Sequence, residues 1–245
     1  MGLNAMVRGN LVHRTMEKIW GVIQTHHQLI TLPDTQLEEL VRTQVAQTID
    51  EIHADYPYTL TNRFRIIELS RISLQIDKWL ALEKTRTPFA VTSREQTTEI
   101  KVGKLTIKLK IDRIDTLDDG RQIIIDYKTG NISPSEWFGD RPDKPQLPLY
   151  SLALAKQQLA GIAFAQLRVN QIAFSGITIE ENLLPKVKSV EELPQAHEIG
   201  DWSAIITHWQ TILENLAQQF IAGEATVSPK KYSETCQQCS LQVLC

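Results

Sequence analysis

Two β-type runs on either side of one tight turn constrain this chain more than any other feature. Ile111-Asp112-Arg113-Ile114-Asp115 and Ile123-Ile124-Ile125-Asp126-Tyr127-Lys128 flank Asp118-Asp119-Gly120, and β-branched runs around a Gly-containing turn signal a hairpin. Side chains alternate along a strand, so Asp126 and Lys128 share one face while Ile125 and Tyr127 take the other. The loop decides whether Asp112 joins them. A two-residue loop at Asp119-Gly120 pairs Asp112 with Tyr127 and sends the carboxylates to opposite faces, because a one-residue slip reverses every side chain. A three-residue loop with Gly120 in the left-handed conformation pairs Leu117 with Arg121, and therefore Asp112 with Asp126. The odd-length loop is the expectation.

Two carboxylates converging on one point repel unless a cation lies between them, and hard oxygen donors favour Mg2+ or Mn2+. Such an ion polarises a phosphodiester and acidifies water, while Lys128 orients the attacking water and offsets developing charge. The bland alternative makes Asp112 and Asp126 polar strand ends and Lys128 half of a surface ion pair.

Around this hairpin the pattern is helical first and sheet-like afterwards. Apolar positions at three- and four-residue steps predict helices over residues 4–30, from 33–34 to 56–57, and over 62–86. His13 lies on the first. After Thr87-Pro88 the period becomes two, predicting strands at 89–93, 96–102, 105–115 and 122–128. Pro145 and Pro148 suit a first helical turn, and that helix is expected to run to about 160. A strand at 163–174 and a last helix at 202–222 follow, with looser stretches at 131–144 and 184–200. The organisation expected is one domain: a helical annex (1–86), a catalytic core (87–183) and a C-terminal helix with a cysteine tail (184–245).

Composition excludes several classes. A chain of 245 residues, 42% hydrophobic and 22% charged, can bury a sizeable core. Its longest apolar stretches fall well short of the roughly 20 residues of a membrane span, and the N-terminus lacks the order of a secretion signal, so no membrane and a cytoplasmic setting are expected. A net charge of −3 argues against a protein that merely coats nucleic acid but leaves room for a local basic groove. Lys101, Lys104, Lys108 and Lys110 are either part of one or simply solvated strand positions. The three cysteines, Cys236, Cys239 and Cys245, are too few for a disulfide framework and point to metal or cluster chemistry.

The ordered motifs Ile111 to Asp115, Asp126-Tyr127-Lys128-Thr129-Gly130 and Gln146-Leu147-Pro148-Leu149-Tyr150 resemble the RecB-type branch of the PD-(D/E)xK nucleases, the nuclease module of RecB and AddB helicase-nucleases. The resemblance covers roughly residues 8–245. It implies a restriction-endonuclease-like α/β core, a mixed central sheet flanked by helices, with the helical N-terminal annex beside it. It implies metal ligation by Asp112, Asp126 and the Tyr127 backbone carbonyl, with Lys128 as the catalytic lysine. Arg8-Gly9-Asn10-Leu11-Val12-His13 is similar to the family's Gly-x-x-x-His segment, which makes His13 a further ligand. Gln146 and Tyr150, four apart on one helix face, would flank the active site and contact DNA. Glu95 resembles the family's acidic residue ahead of the Asp strand, with its role open.

The trailing cysteines resemble those that hold an iron-sulfur cluster in AddB-like members, where a fourth cysteine precedes the histidine helix. Four thiolates normally hold such a cluster, and no cysteine lies between Met1 and His13. The expectation is a fragment of a larger protein that supplies the fourth ligand; the alternative is cysteines that are exposed or bind zinc weakly. No Gly-rich loop ending in Lys-Ser/Thr occurs, so the helicase domain or subunit implied by the family lies elsewhere. The function expected is metal-dependent hydrolysis of DNA phosphodiesters, as an exonuclease in repair or recombination. A catalytically silent DNA-binding or helicase-partner domain is the alternative, and a small-molecule metallohydrolase is a third.

Overall fold

In the computed structural model, residues 2–130, 132–154, 158–168, 171–237 and 239–241 are described. Three long helices come first: α1 (Ala5–Val22), α3 (Asp34–His53) and α4 (Asn62–Glu83), with the short α2 (His26–Thr31) between the first two. The helix expected over 4–30 is thus interrupted. Thr25 and Gln28 form a reciprocal cap that starts α2, and the Val91 amide donates to the Gln24 carbonyl at 2.8 Å. The backbone at the break is therefore committed to a strand edge rather than to a continuous helix.

Strands β1 (Phe89–Val102), β2 (Leu105–Leu117), β3 (Gln122–Lys128), β4 (Leu159–Arg168), β5 (Gln171–Thr178) and β6 (Lys188–Ser189) form one sheet in that spatial order. It is mixed: β3 with β4 and β5 with β6 are parallel, and the other neighbours antiparallel. The runs expected at 89–93 and 96–102 are one strand whose register shifts between Val91 and Ser93. Two further expectations fail. The helix that opens after Pro145 is only α5 (Gln146–Ser151), and the strand placed at 163–174 is the antiparallel pair β4 and β5. Almost every residue of β4 is buried, and an apolar run buried on both faces carries no alternation by which to separate it from a buried helix. Helices α6 (Pro194–His197), α7 (Trp202–Ile221) and α8 (Tyr232–Gln237) follow the sheet, and a 3-10 turn lies at Pro134–Trp137. Among the described residues no helix is long and apolar enough to cross a membrane.

The sheet separates two cores. Ile123, Ile125 and Tyr127 of β3 pack with Trp20, Val45, Ile76 and Trp79 of the N-terminal helices. Ile124 faces the other way, with Phe164, Trp137, Leu147 and Trp209. Alternation along one central strand thus assigns each helical layer its face.

Four ionised side chains lie inside the first core, each no more than 5% exposed: Glu83 and Arg86 at the end of α4, and Arg113 and Asp115 on β2. Arg113 donates to Asp115 through Nε (2.6 Å) and Nη2 (2.8 Å), and to Glu83 through Nη1 (2.6 Å). Arg86 bridges Glu83 and Asp115 at 2.7 Å each. The charges cancel, and the guanidinium of Arg113 lies 3.9 Å from the centre of the Trp20 ring, so the ions exchange water for one another and for aromatic faces. Burial works against the Glu83 carboxylate, yet the two arginines hold it below its ordinary range. Removing one partner leaves the others buried and uncompensated. Arg113→Ala is therefore expected to lower unfolding free energy by ~3–5 kcal/mol, measured by urea denaturation; a loss below ~1 kcal/mol would mean that the quartet contributes little to stability.

Candidate active site

The hairpin loop settles the placement of the carboxylates. Leu117 accepts from Gly120 and donates to Arg121, at 2.9 and 2.8 Å, and Gly120 has φ +86°, a conformation strained for any residue with a Cβ. Three residues thus make the loop. Pairing then runs from Thr116 with Gln122 to Arg113 with Ile125, which sets Asp112 opposite Asp126. Beyond that point the ladder stops. The Tyr127 amide donates instead to Asp112 Oδ2 at 2.8 Å. An extended residue directs its N–H and C=O to the same side, so the Tyr127 carbonyl also points toward β2.

A third acidic residue falls in line. Arg94 pairs with Arg113 and Gln96 with Ile111, which puts Glu95 across from Asp112, with φ +48°. Left-handed backbone costs a non-glycine residue roughly 1–2 kcal/mol, and strain of this kind is concentrated at functional sites. Helix α1 contributes His13 from the opposite layer: Nδ1 lies 3.1 Å from Asp112 Oδ2, and the ring packs edge-on against Tyr127 at 5.8 Å. Ligand atoms of His13, Glu95 and Asp112 all lie within 4.8 Å of one another. For Glu95 the sequence held only a weak signal, an acidic residue ahead of the Asp strand.

Asp126 is fully buried and ion-pairs with Lys128. Apart from that pair, neither of its oxygens has a hydrogen-bond partner among the described residues. Burial, reinforced by the neighbouring Asp112 charge, pushes its carboxyl up to about 6 against the opposing pull of Lys128. For His13, burial works to lower the pKa; the hydrogen bond and charge of Asp112, with help from Asp126, outweigh it and leave the value raised.

Lys128 is positioned by a chain of polar contacts. Its Nζ donates to Gln146 Oε1 at 2.9 Å, Gln146 Nε2 donates to the Tyr150 hydroxyl at 2.6 Å, and that hydroxyl donates to the Lys110 carbonyl at 2.5 Å. Gln146 and Tyr150 are one helical turn apart on α5. Tyr150 is only 3% exposed, and its hydroxyl is used inside the protein, on the Lys110 carbonyl.

Not every candidate gathers here. Lys101, Lys104, Lys108 and Lys110 are exposed on the β1–β2 ribbon, and Lys108 and Lys110 pair with Glu99 and Glu95. Cys236 and Cys239 lie on and just after α8; the Cys239 amide donates to the Cys236 carbonyl at 3.1 Å. Cys245 is outside the described residues.

The donor set suits a divalent cation. Carboxylates and one imidazole converge from three elements, and among the described residues the buried carboxylate of Asp126 beside them is compensated by Lys128 alone; cations of the Mg2+ and Mn2+ type accept such ligands. A family model described as the PD-(D/E)XK nuclease superfamily matches residues 2–245, and the mixed sheet between helical layers is the restriction-endonuclease-like fold that accompanies it. No curated protein matches the sequence.

Because the Asp126 pKa is raised, its contribution to stability is fully present below the pKa of the unfolded chain and is lost as pH rises through about 6. Asp126→Asn cannot ionise. Without divalent metal it should be more stable than the parent by ~1–3 kcal/mol at about pH 8, the gain vanishing by about pH 4. Urea titrations at both pH values check this; no gain at the higher pH would mean that Lys128 fully offsets the burial.

Proposed function

We propose that this chain, which belongs to the PD-(D/E)XK nuclease superfamily, is a Mg2+- or Mn2+-dependent deoxyribonuclease that hydrolyses DNA phosphodiester bonds. The observation that carries this reading is the meeting of His13, Glu95 and Asp112 beside the buried Asp126–Lys128 pair. Asp112, Asp126, His13 and the Tyr127 carbonyl would hold the ion, with Glu95 as a further carboxylate. The chemistry it supplies when bound is Lewis-acid polarisation of a phosphoryl oxygen and acidification of water.

The remaining work falls to the chain. Lys128, held by Asp126 and Gln146, presents an ammonium group to the place where water attacks, orients that water and offsets charge on the phosphoryl oxygens. Water oxygen bonds to phosphorus, the bond to the leaving sugar oxygen breaks, and the proton lost by water is balanced by one delivered to that oxygen. Gln146 and Tyr150 fix the lysine rotamer, which matters because a misplacement near 1 Å can cost roughly a hundredfold in rate. Motif order at residues 111–150 supports the RecB and AddB branch, and with it exonucleolytic trimming beside a helicase domain or subunit in repair or recombination, in the cytoplasm. An iron-sulfur cluster at Cys236, Cys239 and Cys245 would need a fourth thiolate from outside this chain.

The test is cleavage of single- and double-stranded DNA with each metal. Lys128→Ala is expected to lower kcat by roughly 10²–10⁴-fold while the metal-induced rise in melting temperature persists. Asp112→Ala should lose both. Activity that survives either substitution would overturn the mechanism, and DNA binding with no metal-dependent cleavage would leave the silent binding domain. Metal binding requires ionised Asp126 and neutral His13. Because both pKa values are raised, the metal-induced melting shift should be small near pH 5 and grow as pH rises through about 6. A shift independent of pH would exclude both groups as ligands.

A further inference from the structure

Beside the site, on the layer formed by α1 and α4, a cleft of about 420 Å³ is lined by Arg8, Arg71, Gln75, Thr129 and Arg168. It touches the site through the chain itself. Thr129 follows Lys128, and Val12, which also lines the cleft, precedes His13. Among the described residues no acidic side chain lines it.

The arginines are organised rather than scattered. Glu68, 1% exposed, accepts from Arg8 Nε and Nη2 on one oxygen (3.0 and 2.8 Å) and from Arg71 Nε and Nη2 on the other (3.0 and 2.6 Å). One buried carboxylate therefore fixes two guanidinium groups side by side and neutralises only one of them. Arg168 joins from β4, its Nη1 donating to Gln171 Oε1 at 3.2 Å. Each guanidinium carries five N–H donors, so Arg8 and Arg71 keep donors beyond those given to Glu68. Among the described residues, two guanidinium groups share the single Glu68 carboxylate and leave net positive charge beside the Arg168 guanidinium, and Arg forks match phosphate oxygens in pairs. Side chains already held in place lose little further freedom on binding.

We infer that this cleft binds a phosphate group of the substrate strand adjacent to the phosphodiester being cut. The inference rests on the nuclease reading for its substrate, though the anion chemistry stands on the arginines alone. A terminal phosphate and an internal phosphodiester offer the same oxygens, and the experiment separates them.

The first measurement needs no nuclease activity: melting of the metal-free parent, Arg168→Gln and Arg71→Gln with and without inorganic phosphate. Phosphate should raise the melting temperature of the parent, and each substitution should remove the rise. Arg168→Gln leaves Glu68 and its partners intact, so the test survives if Arg71→Gln folds poorly. The second uses Lys128→Ala to hold DNA uncut and follows fluorescence anisotropy of single strands with a phosphorylated or hydroxyl end. Adding Arg168→Gln should raise Kd roughly tenfold and lower the slope of log K against log salt by about one. Loss confined to phosphorylated ends identifies a terminal phosphate; equal loss on both identifies an internal one. No phosphate shift in the parent and no change in Kd would overturn the inference while leaving cleavage untouched. A phosphate shift lost in the variants of a chain that neither binds nor cuts DNA would sink the nuclease reading and leave an anion site.

Discussion

One loop of odd length governs the chemistry of this protein. Because three residues rather than two close the β2–β3 hairpin, with Gly120 left-handed, Asp112 stands across from Asp126 instead of across from Tyr127. Everything polar at the site follows from that parity. Asp112 lies where it can accept the Tyr127 amide and meet His13, and Lys128 falls two residues past Asp126 on the same face. A shift of one residue would turn these groups toward opposite helical layers.

The same alternation stabilises the arrangement from behind. Arg113 and Asp115 are neighbours of Asp112 in one motif, yet they enter the buried quartet with Glu83 and Arg86 on the other side of the sheet. Arg113 Nη1 also donates to the Tyr127 hydroxyl at 3.3 Å, which links the quartet to the strand that carries Asp126 and Lys128. One face of the hairpin is thus charge-balanced and closed, and the other is left with excess carboxylate. The two conditions are complementary: a rigid neutral base lets the strained Glu95 backbone and the poorly compensated Asp126 persist, since strained sites survive only where the surroundings over-determine them.

Support for Lys128 comes from a separate layer. Gln146 and Tyr150 on α5 reach across to the lysine and to the Lys110 carbonyl, so the site draws on α1, β1, β2, β3 and α5. A constellation drawn from that many elements is held by packing on both sides of the sheet, not by any single segment. The Arg8–Glu68–Arg71 bracket belongs to the same economy of design, in which one carboxylate orients two cations.

What the sequence determined by itself is local: the hairpin and its register, the facing of Asp126 and Lys128, the pairing of Gln146 with Tyr150 along one helix face, and the boundaries of β3 and α7. These follow from periods of two and 3.6 and from the demands of one turn, which are written in neighbouring residues. Tertiary structure alone decided the rest. The break after α1 depends on a backbone bond from Val91 of β1 to Gln24, distant in order of chain but adjacent in space. A strand at 163–174 was legible but the start of β4 was not, because residues buried on both faces carry no alternation. Glu95, the charged quartet and the arginine cleft are meetings of side chains from distant segments, and no local pattern records which ions will be buried together.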